Sequence, residues 1–181
     1  MPAKKHITKE MILSKAFEIL RTNGMDSVSV TALAKKLHCS TQPIYLSFKN
    51  MDALRAELSE QAVEFFLQFM NESGEEPDLF DMAYIQFAKD EKELFQFLFM
   101  RQNAFEELRE GLSPIMDQSI SRLMDQYHIS HDEAHFFHDQ LWMHAHGIAA
   151  MIATDFCDWD MKKVEHMIEE NIYYMGQKYE R

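Results

Sequence analysis

Between Thr41 and Lys49 the chain gathers side chains suited to the edges and phosphates of a nucleic acid. Gln42 can pair with the N6/N7 edge of adenine, and the Pro43 ring or the Thr41 methyl can touch a thymine methyl. Tyr45, Ser47 and Lys49 are hydroxylated or charged, and Tyr45 and Lys49 suit phosphate oxygens. A second constellation lies downstream, where His131, His135 and His138 fall at i, i+4 and i+7, and Trp142 and His146 continue the stripe. Neutral imidazole is a ligand for Zn, Cu or Ni, and an i, i+4 pair can share one ion. The stripe therefore carries the alternative function of a metal- or haem-binding helical protein. With no cysteine near it in sequence, it reads first as a solvated or interface face, and no metal site or cofactor is assigned. No paired-carboxylate, serine-triad or phosphate-loop pattern is present, so no catalytic residue is expected and the chain does not read as an enzyme.

The elements that must position these residues are helices. Thr8 can cap a first helix whose apolar residues Ile12, Leu13, Ala16, Phe17, Ile19 and Leu20 recur at helical spacing, and Asn23-Gly24 ends it. Ser29 can cap a short second helix built on Val30, Leu33, Ala34 and Leu37. His38-Cys39-Ser40 reads as a turn, and Ser40 or Thr41 opens a third helix over 41–48, with Pro43 in its first turn and Ile44 and Phe48 facing inward. Two short helices joined by a three-residue turn and backed by a third make a helix-turn-helix, in which the second short helix must protrude enough to enter the major groove. In that arrangement Ser29, Thr31 and Ser40, around the starts of the short helices, join Thr41, Gln42, Pro43, Tyr45, Ser47 and Lys49 as candidate DNA contacts, because first-turn N–H groups also suit phosphates.

Asn50 caps a long helix expected to run to about Asn71, roughly 33 Å at 1.5 Å per residue. Ser73-Gly74-Glu75-Glu76-Pro77 is the first polar loop. Further helices are expected over 78–89 and 91–100, then over 103–127 with interruptions at Gly111 and Pro114. Ser130 and Glu133 form a capping box for a helix from His131 to about Thr154, and Asp160 caps a last helix to about Tyr174. The reading is an all-α chain of about nine helices. Its domains are a DNA-binding part, 1–50, joined by the helix over 50–72 to a regulatory and dimerisation part, 51–181.

Composition agrees. Among 181 residues there are five glycines and four prolines, too few for a sandwich or barrel of many tight turns. Two distant cysteines make no disulfide framework, no signal peptide leads the sequence, and no apolar stretch reaches the ~20 residues of a membrane span, so a cytoplasmic protein is expected. The net charge of −12 is unevenly spread: residues 1–50 carry eight basic side chains against three acidic, a balance of +5, and the rest carry ten against 27, a balance of −17. A basic head that meets a polyanion and an acidic body that does not is the simplest meaning of that asymmetry.

The run VSVTALAKKLHCSTQPIYLSFKNMDAL, Val28 to Leu54, resembles the DNA-binding region of the TetR family of transcriptional regulators. The resemblance rests on Leu33, Ala34 and Leu37, the turn Cys39-Ser40, the pair Ile44-Tyr45, and Phe48-Lys49-Asn50. It implies a homodimer whose N-terminal helices bind a palindromic operator, as a repressor, and whose C-terminal body takes a small molecule that weakens DNA binding. By the same resemblance Thr41, Gln42 and Pro43 read bases while Tyr45 and Lys49 hold phosphates. Met51 stands where many members carry a lysine, and the tail lysines Lys4 and Lys5 could supply the missing contact.

Trp142, His146 and Gly147 resemble the Trp-His-Gly signature of a TetR subfamily. The family usually dimerises through its last two helices as a four-helix bundle, and Gly147, Ala149, Ala150 and Ala153 are small enough for close helix packing. A third possibility is a helical interaction protein that keeps the fold without binding DNA. Phenylalanines at 65, 66, 69, 80, 87, 95, 97, 99 and 105, with Met100, crowd the middle helices and suit an adaptable pocket for a hydrophobic or amphipathic effector as well as a core. The expected pocket residues are Tyr84, Phe87, Phe99, Gln102, Trp142, His144 and His146.

Overall fold

The computed structural model describes residues 6–73 and 80–179, with the side chains of Phe80 and residues 105–107 left aside. The tail lysines Lys4 and Lys5, the Gly74–Pro77 part of the polar loop and the expected helix start at Asp78 lie outside the described residues. Those described form nine α-helices and no strand. Two compact units divide the chain, one ending at Phe65 and the other beginning at Phe66.

In the first unit, α1 (Lys9–Asn23) starts where the Thr8 hydroxyl accepts the Met11 N–H at 3.2 Å. It ends at Gly24, whose φ of 76° is costly for a residue with a Cβ. Ser29 caps α2 (Val30–Leu37) by accepting the Ala32 N–H. His38 then takes the left-handed conformation, φ 54°, while the Cys39 N–H donates to the Ala34 carbonyl, so the chain reverses within the turn without glycine. Next come α3 (Gln42–Ser47) and α4 (Met51–Glu72), the latter capped by Asn50 through the Ala53 N–H. Ile12, Ala16, Leu20, Leu33, Ile44, Leu54 and Leu58 are sealed from solvent and form the core against which α3 is held. Truncating one of these leucines or isoleucines to alanine costs roughly 2 to 5 kcal/mol.

The second unit comprises the end of α4, α5 (Phe80–Asp90), α6 (Lys92–Phe99), α7 (Ala104–Tyr127), α8 (His131–Ala153) and α9 (Met161–Gln177). The capping box is present, with Ser130 and Glu133 bonded reciprocally, and Asp160 caps α9 through the Lys162 N–H. Helix α8 packs against α5, α6, α7 and α9. Phe66 meets Tyr84, Phe87 and Phe99 edge-on at 5.0 to 6.0 Å between ring centres, and Phe137 stacks on Tyr179.

One expectation is overturned. Gly111 and Pro114 do not interrupt the chain, and α7 is continuous for 24 residues. Proline removes the N–H that would reach the carbonyl of Glu110. Here the Ser113 hydroxyl donates to that carbonyl at 3.1 Å, so the orphaned acceptor is satisfied, and Pro114 itself faces solvent.

Candidate nucleic-acid interface and body cavity

Helix α3 is held by its inward pair. Ile44 and Phe48 are 2% and 4% exposed, and residues two positions from each fall on the opposite face of the helix. Leu46, two positions from each, is therefore 80% exposed, and Tyr45, one position past Ile44, is 63% exposed, with Thr41, Gln42 and Lys49 also exposed. Thr41 has helical dihedrals and its hydroxyl caps nothing, which leaves that oxygen free for an outside partner. Ser29, Thr31 and Ser40 are exposed too, although the Ser29 oxygen is occupied as the cap of α2.

Two residues differ from the outward set. Ser47 is half-buried and its hydroxyl turns back to donate to the Pro43 carbonyl at 2.9 Å, and Pro43 itself is half-buried. A hydroxyl at this position reaches the carbonyl one turn below it, which then accepts from the side chain as well as from the helix backbone, and that local bond is the one made. Leu46 was not among the expected contacts. Its distance from Ile44 and Phe48 is the signal that finds it, and an isolated apolar side chain on a polar face suits a thymine methyl. Lys35 and Lys36, at the end of α2, are exposed and add positive charge to this unit.

In the second unit, the histidine stripe divides. His131 and His135 are exposed, His131 lying 3.8 Å from Asp132 and His135 3.3 Å from Asp139. His138 is buried, bonded through Nδ1 to the Ser119 hydroxyl at 3.0 Å, and burial holds its pKa below the usual histidine value. His146 bonds through Nδ1 to the Tyr84 hydroxyl at 2.9 Å, and burial lowers its pKa as well. Among the described residues no three His, Cys, Asp or Glu side chains converge to hold a metal ion, so His131, His135 and His138 are not brought together as ligands.

The inner end of the stripe instead walls a cavity of about 410 Å3. Tyr84, Phe99, Trp142 and His146 of the expected pocket set line it, joined by Phe66. Phe87, Gln102 and His144 do not. Phe87 is fully buried one layer behind, its ring against Phe66 and Phe69. Gln102 is exposed in the turn between α6 and α7, and His144, two residues from both Trp142 and His146, points to the other face of α8. The unexpected wall comes from α7, through Leu108, Arg109, Leu112, Ile115 and Met116, and from His135, His138 and Asp139 of α8. The spacing of Leu108, Leu112 and Ile115 carries the signal in the sequence, but reading Gly111 and Pro114 as breaks hides it. The Tyr84 hydroxyl, buried with its ring, has its pKa raised by desolvation and stays un-ionised.

A short exposed polar helix, set after a four-residue turn, His38 to Thr41, on two supporting helices, defines a helix-turn-helix DNA-binding domain. Residues 12–58 match the family described as bacterial regulatory proteins, tetR family, which makes this N-terminal unit a TetR-type helix-turn-helix domain. No curated protein matches the chain. No helix among the described residues is long and apolar enough to cross a membrane.

Proposed function

We propose that the chain is a ligand-responsive transcriptional repressor that binds a palindromic operator as a homodimer. The observation that carries this reading is the family match over 12–58 together with the exposed polar face of α3. In it, residues 1–50 form the DNA-binding part, the helix over 50–72 the link, and 51–181 the regulatory part. Thr41, Gln42 and Pro43 read base edges, and Tyr45 and Lys49, with Ser29, Thr31 and Ser40, position the phosphates. The +5 head supplies counterion release while the acidic body stays clear of the backbone.

Dimerisation through α8 and α9 is supported by where large apolar side chains are exposed. Phe136 and Met143 on α8 are each 51% exposed, and Tyr173 and Tyr174 on α9 are 59% and 67%. Phe136, Gln140, Met143, Gly147 and Ala150 recur at i, i+4, i+7, i+11 and i+14, one continuous stripe. A Cβ at Gly147 would meet nothing within 4 Å, so the missing side chain is not required by this subunit's own packing. The Trp142, His146 and Gly147 run supports a place in the Trp-His-Gly subfamily. An effector in the cavity would weaken DNA binding by changing the separation of the two recognition helices.

The test is in vitro selection from random duplex DNA, followed by gel shift of the enriched sequence across a salt series. A palindrome whose affinity falls steeply with salt is expected. Enrichment of no sequence rejects the reading.

A further inference from the structure

The cavity of the second unit has a chemistry that selects its occupant, and the inference drawn from it rests on the effector reading above. Its polar core is a directed relay. The Trp142 indole, which lines the same cavity as Tyr84, can only donate and so cannot accept the Tyr84 proton. The buried Tyr84 hydroxyl has His146 Nδ1 as its acceptor, at 2.9 Å. An imidazole that accepts at Nδ1 carries its proton on Nε2. His146 lines the cavity and its Nε2 has no partner among the described residues, so this N–H is offered to a ligand.

The surrounding walls decide the rest of the ligand. Phe66, Phe99 and Trp142 present rings, while Leu112, Ile115 and Met116 supply apolar surface from α7. Aromatic walls favour a flat aromatic body. Among the described lining residues the charged groups lie toward solvent: Arg109 is exposed, and Asp139 is half-buried beside exposed His135. At the buried end a carboxylate would meet only the un-ionised Tyr84 hydroxyl and uncharged imidazole, with no cation to offset its desolvation. A volume of about 410 Å3 sits at the lower end of small-molecule sites and takes about two fused rings with a substituent.

The geometry points to an uncharged aromatic carbonyl compound as the ligand class, its ring body between Trp142 and Phe99 and its carbonyl oxygen accepting the His146 Nε2–H. Donor and acceptor numbers match: the relay ends in one donor, and the ligand brings one acceptor.

The test is a matched series on the purified full chain, measured by titration calorimetry: 2-acetonaphthone, its hydrocarbon counterpart 2-ethylnaphthalene, and the anion 2-naphthoate. Acetonaphthone is expected to bind roughly tenfold more tightly than ethylnaphthalene, the value of one buried hydrogen bond, and naphthoate more weakly than the ketone. His146→Phe should bring the ketone to within about threefold of the hydrocarbon and leave hydrocarbon affinity within about threefold of the original. Tyr84→Phe, which keeps the ring and so the packing, should also shrink the ketone's advantage by releasing the imidazole tautomer. Equal binding of ketone and hydrocarbon, tighter binding of naphthoate, or binding of none of the three overturns the inference. Because calorimetry is done without DNA, these outcomes are separate from the regulator reading. A ketone that binds in this pattern but leaves a selected operator complex intact upholds the ligand class and rejects its role as effector.

Discussion

The hydroxyl of Tyr84 on α5 bonds to Nδ1 of His146 on α8 across 2.9 Å, joining residues 62 apart in the chain. Tyr84 is 3% exposed, so its hydroxyl has no water to fall back on. Tyr84→Phe should cost about 1 to 2 kcal/mol, read as a lower urea midpoint, because it leaves a buried acceptor unpaired. Nitrogen-15 NMR should find the His146 proton on Nε2 in the parent and a tautomer mixture in the variant. The same mixture in both proteins would contradict the relay.

Burial lowers the pKa of both His138 and His146. The folded values lie below the unfolded value of 6.5, so the unfolded chain takes up protons first as pH falls. Stability contributed by the neutral rings is complete above that value and is lost as pH drops through it. Replacing both with Gln should flatten the acid side of the stability profile, measured by chemical denaturation at a series of pH values.

Asp81 slopes the other way. It sits beside a small cavity with Ser119, Arg122 and His138, and burial raises its pKa to about 6 from 3.8. Between those values the folded state holds a proton that the unfolded state has released, so stability falls as pH rises and the full cost is present above 6. Asp81→Asn should therefore stabilise at pH 7.5, by at most about 3 kcal/mol, and give no gain below pH 4. A gain independent of pH would place the cause elsewhere.

Pro114 lies inside α7, where its ring is unfavourable for a helix even though the Ser113 hydroxyl satisfies the Glu110 carbonyl. Pro114→Ala restores the N–H and should stabilise by about 1 to 2 kcal/mol. A lower melting temperature for this variant would mean that the ring is needed where it stands.

Gly147 separates packing within the subunit from packing between copies. Gly147→Ala should strengthen α8 by up to about 1 kcal/mol, since nothing lies within 4 Å of the added methyl. Gly147→Phe should keep the helical circular dichroism while moving sedimentation equilibrium from dimer toward monomer. A Gly147→Phe protein that remains as dimeric as the parent rejects α8 as the interface.

On the DNA side, Lys49→Ala should weaken all sequences alike and reduce the salt slope by about two per dimer. Gln42→Ala should instead cost about 1 to 3 kcal/mol per half-site on the selected sequence and little on random DNA. Equal losses on both would make Gln42 a backbone contact.

The helix starts at Thr8, Ser29, Asn50, Ser130 and Asp160 were legible because a cap bonds within two or three residues, and the inward Ile44 and Phe48 were legible because periodicity is local. Pro114 was misread for a related reason: its effect depends on whether a neighbouring hydroxyl takes over the orphaned carbonyl, and composition does not reveal the rotamer of Ser113. Ser47 shows the same rule on a smaller scale, its hydroxyl choosing the Pro43 carbonyl over solvent.

The amino-acid order alone carried the all-helical architecture, the basic charge of the N-terminal part and the position of the short exposed helix of its helix-turn-helix, since each follows from interactions among residues a turn or two apart. It also placed five residues, His131 to His146, along one side of α8. Which of these meet water and which wall a cavity was decided by how α5, α6 and α7 pack on that helix. Burial is a property of long-range packing, and it is burial that makes His138 and His146 neutral interior groups while His131 and His135, on the same helix, remain at the surface.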